Sequence, residues 1–270
     1  MRCNAFELIQ SPADAACKFV FSNAISQLTN FRAAPCHTCL FPDTAAFMPD
    51  RASLARIAPF AAYILFIAVA DVLSRLGLSA MDLRWLYPIK ISVVVALLWT
   101  WRREYVEMAW PATQGVRNWL IAIAVGIAVF VAWINLGAGW MMVVAPSSGY
   151  QPLGPDGQVE WGLIAIRLAG AALVVPVMEE LFWRAYLMRW LTRPDFLQVD
   201  PASVGLKAFA ITAVLFAVEH NLWLAGLVAG LAYNLLYVRY RTLWLPIVAH
   251  GVTNGILGVW VIATGRWEYW

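Results

Sequence analysis

Charge is what this sequence has least of. Only 13% of its 270 residues are Asp, Glu, Lys or Arg, against 62% hydrophobic, whereas soluble domains run nearer ~25% charged and ~45–50% apolar. That excludes an ordinary soluble domain and defines an integral membrane protein. The net charge of +3 is small and scattered over loops, which excludes the basic face that a nucleic-acid partner requires. No ten-residue segments alternate between apolar and polar residues, so a transmembrane barrel is excluded too. Histidine is scarce, at three. The four cysteines, Cys3, Cys17, Cys36 and Cys39, all precede residue 50, whereas all fifteen tryptophans lie at or after Trp85.

That contrast is a composition boundary. Residues 1–47 lack the continuous apolar core of a signal peptide, and Met48 is followed by a short polar stretch and then a long apolar run. Residues 1–50 are therefore read as a disordered leader or as sequence ahead of the natural start, and 51–270 as a transmembrane helical domain. Cys36 and Cys39 form a lone Cys-x-x-Cys, and a structural zinc site needs a second pair of ligands close by.

Long apolar runs fill the remainder. A spanning helix needs about 20 mostly apolar residues, and such runs cover 57–76, 86–101, 118–136, 161–177, 204–218, 222–238 and 243–264. The fourth continues in helical pattern to about Leu191 before Pro194 stops it. Only helices or closed barrels satisfy their backbone in lipid, so the predicted fold is all-α, a polytopic bundle of about seven (six to eight) spans. Gly- and Pro-punctuated turns mark 137–160 as a loop. The loops after the second, fourth and sixth runs carry Arg102, Arg103 and Arg117, then Arg189, Arg193 and Lys207, then Arg239 and Arg241. By the positive-inside rule the N-terminus is cytoplasmic and the C-terminus outside.

Charges inside spans call for a reason. Asp71 and Arg75 are four apart and read as a local pair, while Lys90 and Arg167 lie near enough to helix ends to snorkel outward. Gly226-x-x-x-Gly230 and Gly251-x-x-x-Gly255 are small-residue spacings that let membrane helices approach closely. The exceptional stretch is Glu179-Glu180-x-x-x-Arg184 at the end of the fourth apolar run. On a helix Arg184 shares a face with Glu180 and holds it, while Glu179 points about 100° away and is free to act as a general base. The bland alternative is an interfacial salt bridge beside a solvated Glu.

Beyond the leader there are two histidines, each in a patterned setting. His220 closes Phe216-x-x-x-His220 at the end of the fifth run, and His250 opens His250-x-x-x-Asn254 inside the seventh. Singly, each polar residue reads as an interhelical hydrogen-bond partner. Together, a Glu pair, two His and an Asn supply a base, a second acid/base or ligand, and donors for an oxyanion, the parts needed to split an amide with water.

This ordered trio of motifs, over roughly 161–264, resembles the CAAX protease and bacteriocin-processing (CPBP, or Abi) family of intramembrane endopeptidases. The absence of soluble domains resembles its stand-alone bacterial branch, which includes members accompanying exosortase systems. The resemblance implies an intramembrane endopeptidase acting on a membrane-associated or lipidated peptide or protein in the bilayer. It implies a water activated by Glu179 with help from His220, an oxyanion site from His250 and Asn254, and shaping of the site by Glu180 and Arg184. A zinc ion held by Glu179, His220 and His250 is the competing chemistry, although no His-Glu-x-x-His is present. Two other readings stay open: a non-catalytic relative binding peptides through the same cavity, and a small transporter with a polar pathway through Asp71, Lys90, Arg167 and the Glu pair.

One expectation concerns depth. Counted at 1.5 Å per residue, Glu179 lies ~27 Å along the fourth helix from its outer end, and His220 ~20 Å along the fifth from its cytoplasmic end. The two meet only if those helices are tilted or offset, or if their boundaries lie elsewhere.

Overall fold

A computed structural model describes residues 50–144, 152, 154 and 156–269, and the leader with its Cys-x-x-Cys lies outside the described residues. Seven long helices follow one another. They are α1 (Arg51–Arg75), α2 (Leu86–Thr100), α3 (Val116–Asn135), α4 (Trp161–Met188), α5 (Leu206–Glu219), α6 (Trp223–Tyr240) and α7 (Trp244–Thr264). Among the described residues there is no extended strand, so the all-helical bundle read from the apolar runs is what forms. Four helices, α1, α3, α4 and α7, are long and apolar enough to cross a membrane by themselves. α2 and α5, at 15 and 14 residues, fall short of a full span.

Local chemistry sets the helix starts. Asp50 caps α1 by accepting from Ser53 N at 2.6 Å, satisfying one of the orphan donors of the first turn. Asp50, placed in the leader by composition, therefore belongs to the helical domain. α1 pairs with α2 at one side of the bundle; α7 packs on α3 and α4, and α5 packs on α6. Of the four long apolar helices α7 is the most enclosed and α1 the least. The glycine spacings do the packing. A Cβ on Gly226 would stand 3.2 Å from Ala217 Cα, and one on Gly230 3.1 Å from Ala213 O, so α5 and α6 touch at backbone distance.

At the end of the bundle where α1 begins and α4 ends, an ion network fixes the frame. Arg56 clasps Glu107 and also donates to the carbonyls of Ala52 (2.7 Å) and Glu104 (2.9 Å). Arg189 reaches the same Glu107 at 2.8 Å and donates to Val199 O (3.0 Å) and Leu197 O (2.9 Å). Buried charges are tolerated when paired and hydrogen-bonded in this way. The network ties the 189–205 connection against α4, and α5 begins from that connection.

α4 is not a uniform helix. Two stretches, Gly170–Val174 and Leu181–Met188, have the wider π turn, a local geometry frequent at functional sites. Val175 N donates to Gly170 O, five residues back. The next bond in that register would come from residue 176, which is proline and has no N–H. The carbonyl of Ala171 is thereby released from the helix.

Candidate active site

The released Ala171 carbonyl is taken by α7: Asn254 Nδ2 donates to it at 2.9 Å. One turn earlier on α7, Nδ1 of His250 lies 3.0 Å from Oε1 of Glu180 on α4. Arg184 Nη1 reaches the same oxygen at 3.1 Å, and both members of this ion pair are fully buried. Arg184 has further partners that sequence reasoning missed. Its Nε donates to Asn234 Oδ1 at 2.9 Å, Asn234 Nδ2 donates to Phe209 O at 3.0 Å, and the guanidinium lies 4.5 Å from the Phe216 ring centroid. A guanidinium with a carboxylate, an amide and an aromatic face is a satisfied buried cation.

His220 stands just past the last turn of α5, in extended backbone. Its Nδ1 donates to Phe216 O at 2.7 Å, closing one of the helix's orphan carbonyls. A carbonyl can only accept, so the proton sits on Nδ1 and Nε2 is the proton-accepting nitrogen. Phe216 packs against both imidazoles, with centroids 4.6 Å from His220 and 6.1 Å from His250. Tyr233 stacks on His250 at 5.1 Å and donates to Thr253 Oγ1 at 2.7 Å. Thr253 in turn lies within reach of the carbonyls of Gly126 and Ala249, at 2.9 and 3.0 Å.

Glu179 is bound differently. Its Oε2 is buried and has no hydrogen-bond partner among the described residues; Oε2 of Glu180 is the other such carboxylate oxygen. Glu179, His220, His250 and Asn254 line one cavity of about 270 Å³, together with Tyr63, Phe216, Tyr233 and Thr253. Glu180 and Arg184 stand behind it, joined to it through His250. Of the six residues singled out in the sequence, four face the cavity and two support it. Tyr233, Asn234 and Thr253 were missed. Thr253 lies inside the His250–Asn254 motif, and Tyr233 and Asn234 follow Gly230 on α6, so proximity in sequence was the available signal.

Despite the depth mismatch, Glu179 and His220 line one cavity. α4 has 28 residues, about 40 Å of helix, longer than the hydrocarbon core. Glu179 is about 14 Å from the end at Met188, and His220 is about 21 Å from the start of α5 at Leu206. Because α5 packs along the terminal π stretch of α4, Phe216 sits beside Trp183 at 5.9 Å and His220 arrives near Glu179.

Other expectations fare variously. Asp71 and Arg75 do pair, at 2.9 Å, on the exposed surface and away from the cavity. Lys90 does not snorkel outward: its Nζ lies 3.9 Å from the Tyr63 ring centroid. Arg167 turns onto the Tyr87 ring, at 4.7 Å. Aromatic faces close by offer the cation an attraction that competes with the outward route. Among the described residues no three His, Cys, Asp or Glu side chains are grouped to hold a metal ion. Glu179, His220 and His250 share the cavity without converging as a ligand set.

A bundle of membrane helices that gathers a carboxylate, two imidazoles and an amide around one small cavity has the construction of a membrane-embedded hydrolase. Residues 161–256, just over a third of the chain, match the family model described as type II CAAX prenyl endopeptidase Rce1-like. All six motif residues fall inside the match. At family level the protein is an intramembrane protease, a hydrolase of peptide bonds. No curated protein and no solved structure matches the chain.

Proposed function

We propose that the protein hydrolyses a peptide bond of a membrane-associated or lipidated peptide, with water activated by Glu179 and without a catalytic metal. The observation that carries this reading is the buried, unpartnered Oε2 of Glu179, a residue that lines the cavity. A buried carboxylate oxygen without a donor costs about 1–3 kcal/mol, and a water between it and a scissile carbonyl removes that cost while placing the nucleophile.

In this reading Glu179 takes a proton from the water as its oxygen bonds to the carbonyl carbon. The tetrahedral oxyanion is met by the second Nδ2 proton of Asn254, the first being held by Ala171 O, and by Nε2 of His250. Donation from Nε2 requires that Glu180 and His250 hold one proton more than a carboxylate and a neutral imidazole would, because their 3.0 Å contact already uses Nδ1. Arg184 keeps that pair in place. When the C–N bond breaks, the departing amine needs a proton, which Glu179 returns, and His220 Nε2 is the neighbouring acceptor that can relay it.

The substrate is proposed from the same family name: a peptide whose lipid, prenyl or another, keeps it in the bilayer. The proposed setting is a bacterial inner membrane, from the resemblance to the bacterial branch, with the N-terminus in the cytoplasm, which the Arg and Lys distribution supports.

The test is cleavage of a panel of lipidated peptides by full-length protein in liposomes, comparing wild type with Glu179→Ala and repeating the assay after chelation. Cleavage abolished in the variant, with its circular dichroism unchanged and the wild-type rate insensitive to chelator, supports this reading. Stoichiometric zinc whose removal stops turnover would replace it with the metal mechanism, and a wild type that binds the panel but cleaves none of it points to a binding protein.

A further inference from the structure

A second cavity, of about 460 Å³, lies against the catalytic one at the end of the bundle where α3 and α7 finish. The two cavities share Trp133 and Tyr269 as wall residues. The α5–α6 connection straddles their boundary: His220 lines the catalytic cavity, and the next residue, Asn221, lines the outer one. Trp133 meets the His220 ring edge-on, with centroids 5.3 Å apart.

Two segments that follow helix ends build the outer wall. Beyond α3, Val143 N donates to Asn221 O at 2.8 Å and Val144 N to Asn221 Oδ1 at 2.9 Å, which ties that segment to the α5–α6 connection. Beyond α7, Gly265 turns the backbone through the left-handed region (φ 69°), and Trp267–Tyr269 fold back in a short 3₁₀ turn. There the Tyr269 ring stands edge-on to Trp260 at 5.3 Å and lies 4.8 Å from the Arg266 guanidinium. A Cβ on Gly137 would stand 3.3 Å from the Tyr269 hydroxyl, so the turn closes against the end of α3 at a glycine. Both segments lie outside residues 161–256, the part that matches the family model.

The lining sets the class of occupant. Arg266 and Glu268 pair with each other at 2.9 Å, so the cavity presents both signs of charge and selects neither. The bond from Val144 uses the side-chain carbonyl of Asn221 and leaves its NH₂ group uncommitted by that bond. An acyl chain seated there would leave the amide and the ion pair without water, which is costly. An extended peptide carries a carbonyl and an N–H at nearly every residue and can meet such groups. The catalytic cavity, at about 270 Å³, falls below the ~300–1,000 Å³ of small-molecule sites. A chain whose scissile bond reaches Glu179 therefore brings flanking residues that need room beyond it.

We propose that the outer cavity binds the peptide segment on one side of the scissile bond, with Tyr269 the wall residue past which the chain runs. This rests on the protease reading above.

The experiment uses full-length protein in liposomes of neutral lipid and one peptide of the lipidated panel, lengthened one residue at a time on each side of the bond that is cleaved. The readout is kcat/KM for the longest peptide over the shortest, which is internal to each preparation and so survives partial loss of folded protein. On one side the expected wild-type ratio is about tenfold, the size of one or two net hydrogen bonds. Gly137→Leu fills the outer cavity from a wall that the catalytic cavity does not share and brings that ratio to near one, while Gly137→Ala retains most of it. A benzophenone on the last residue of the same flank labels Met142 of the outer wall. Wild-type ratios near one on both sides, or a ratio that Gly137→Leu leaves intact, overturn the proposal while the protease reading stands. Label found elsewhere, or at Met142 only when the probe sits on the lipid chain, overturns it as well, the latter in favour of a lipid pocket. If the wild type cleaves no member of the panel, the protease reading fails and this inference fails with it.

Discussion

Nδ1 of His250 and Nη1 of Arg184 converge on the same oxygen of Glu180, at 3.0 and 3.1 Å. One carboxylate oxygen thus joins α4 to α7 and orients the imidazole that faces the cavity. Glu179, one residue earlier, lines the cavity and, like Glu180, keeps one unpartnered oxygen, Oε2. The helical rotation between them gives adjacent, chemically identical side chains different surroundings.

Removing Arg184 leaves Glu180 and Asn234 without their main donor in a fully buried setting. Breaking a buried pair from one side destabilises by about 3–5 kcal/mol, so Arg184→Ala is expected to lower the thermal midpoint in detergent sharply and to reduce the yield of folded protein. Replacing both partners, as in Glu180→Leu with Arg184→Met, is expected to recover most of that stability while leaving cleavage abolished. A double variant as unstable as Arg184→Ala would show that the pair's role is not electrostatic.

Asn254 has one amide proton committed to Ala171 O and one to offer. Losing a single oxyanion donor lowers turnover by about 10²–10³, so Asn254→Ala is expected to damage kcat by that factor with KM little changed. A variant that fails in KM alone would move Asn254 from the transition state to substrate binding.

Gly251 follows His250 at the α4–α7 contact. A Cβ there would stand 2.8 Å from Ala172 O, a backbone atom that cannot step aside. Gly251→Ala is therefore expected to separate α7 from the π turn, at about 1–3 kcal/mol of stability, and to cost activity beyond the fraction unfolded because Asn254 and His250 move with the helix. Thermal unfolding and kcat measured on the same preparation check both effects, and unchanged values for both would mean the two helices are not in backbone contact.

Much of this protein was determined by its sequence taken alone. Seven apolar runs in a chain of so little charge leave no alternative to a helical bundle, because lipid offers the backbone no other partners. The three motifs named the six residues, and helical periodicity placed Arg184 over Glu180 and Asn254 over His250. Only the tertiary structure decided how they meet. That His220 leaves α5 to cap it, that Pro176 in a π turn frees a carbonyl for Asn254, and that Asn234, Tyr233 and Thr253 hold the supporting bonds all depend on contacts between helices. Lys90 and Arg167 show the limit most directly. From sequence each is a charge near a helix end with a short route to water, and only the packing of α1, α2 and α4 reveals that two tyrosines stand in the way. Periodicity reports which face a residue occupies; what that face meets is a property of the whole fold.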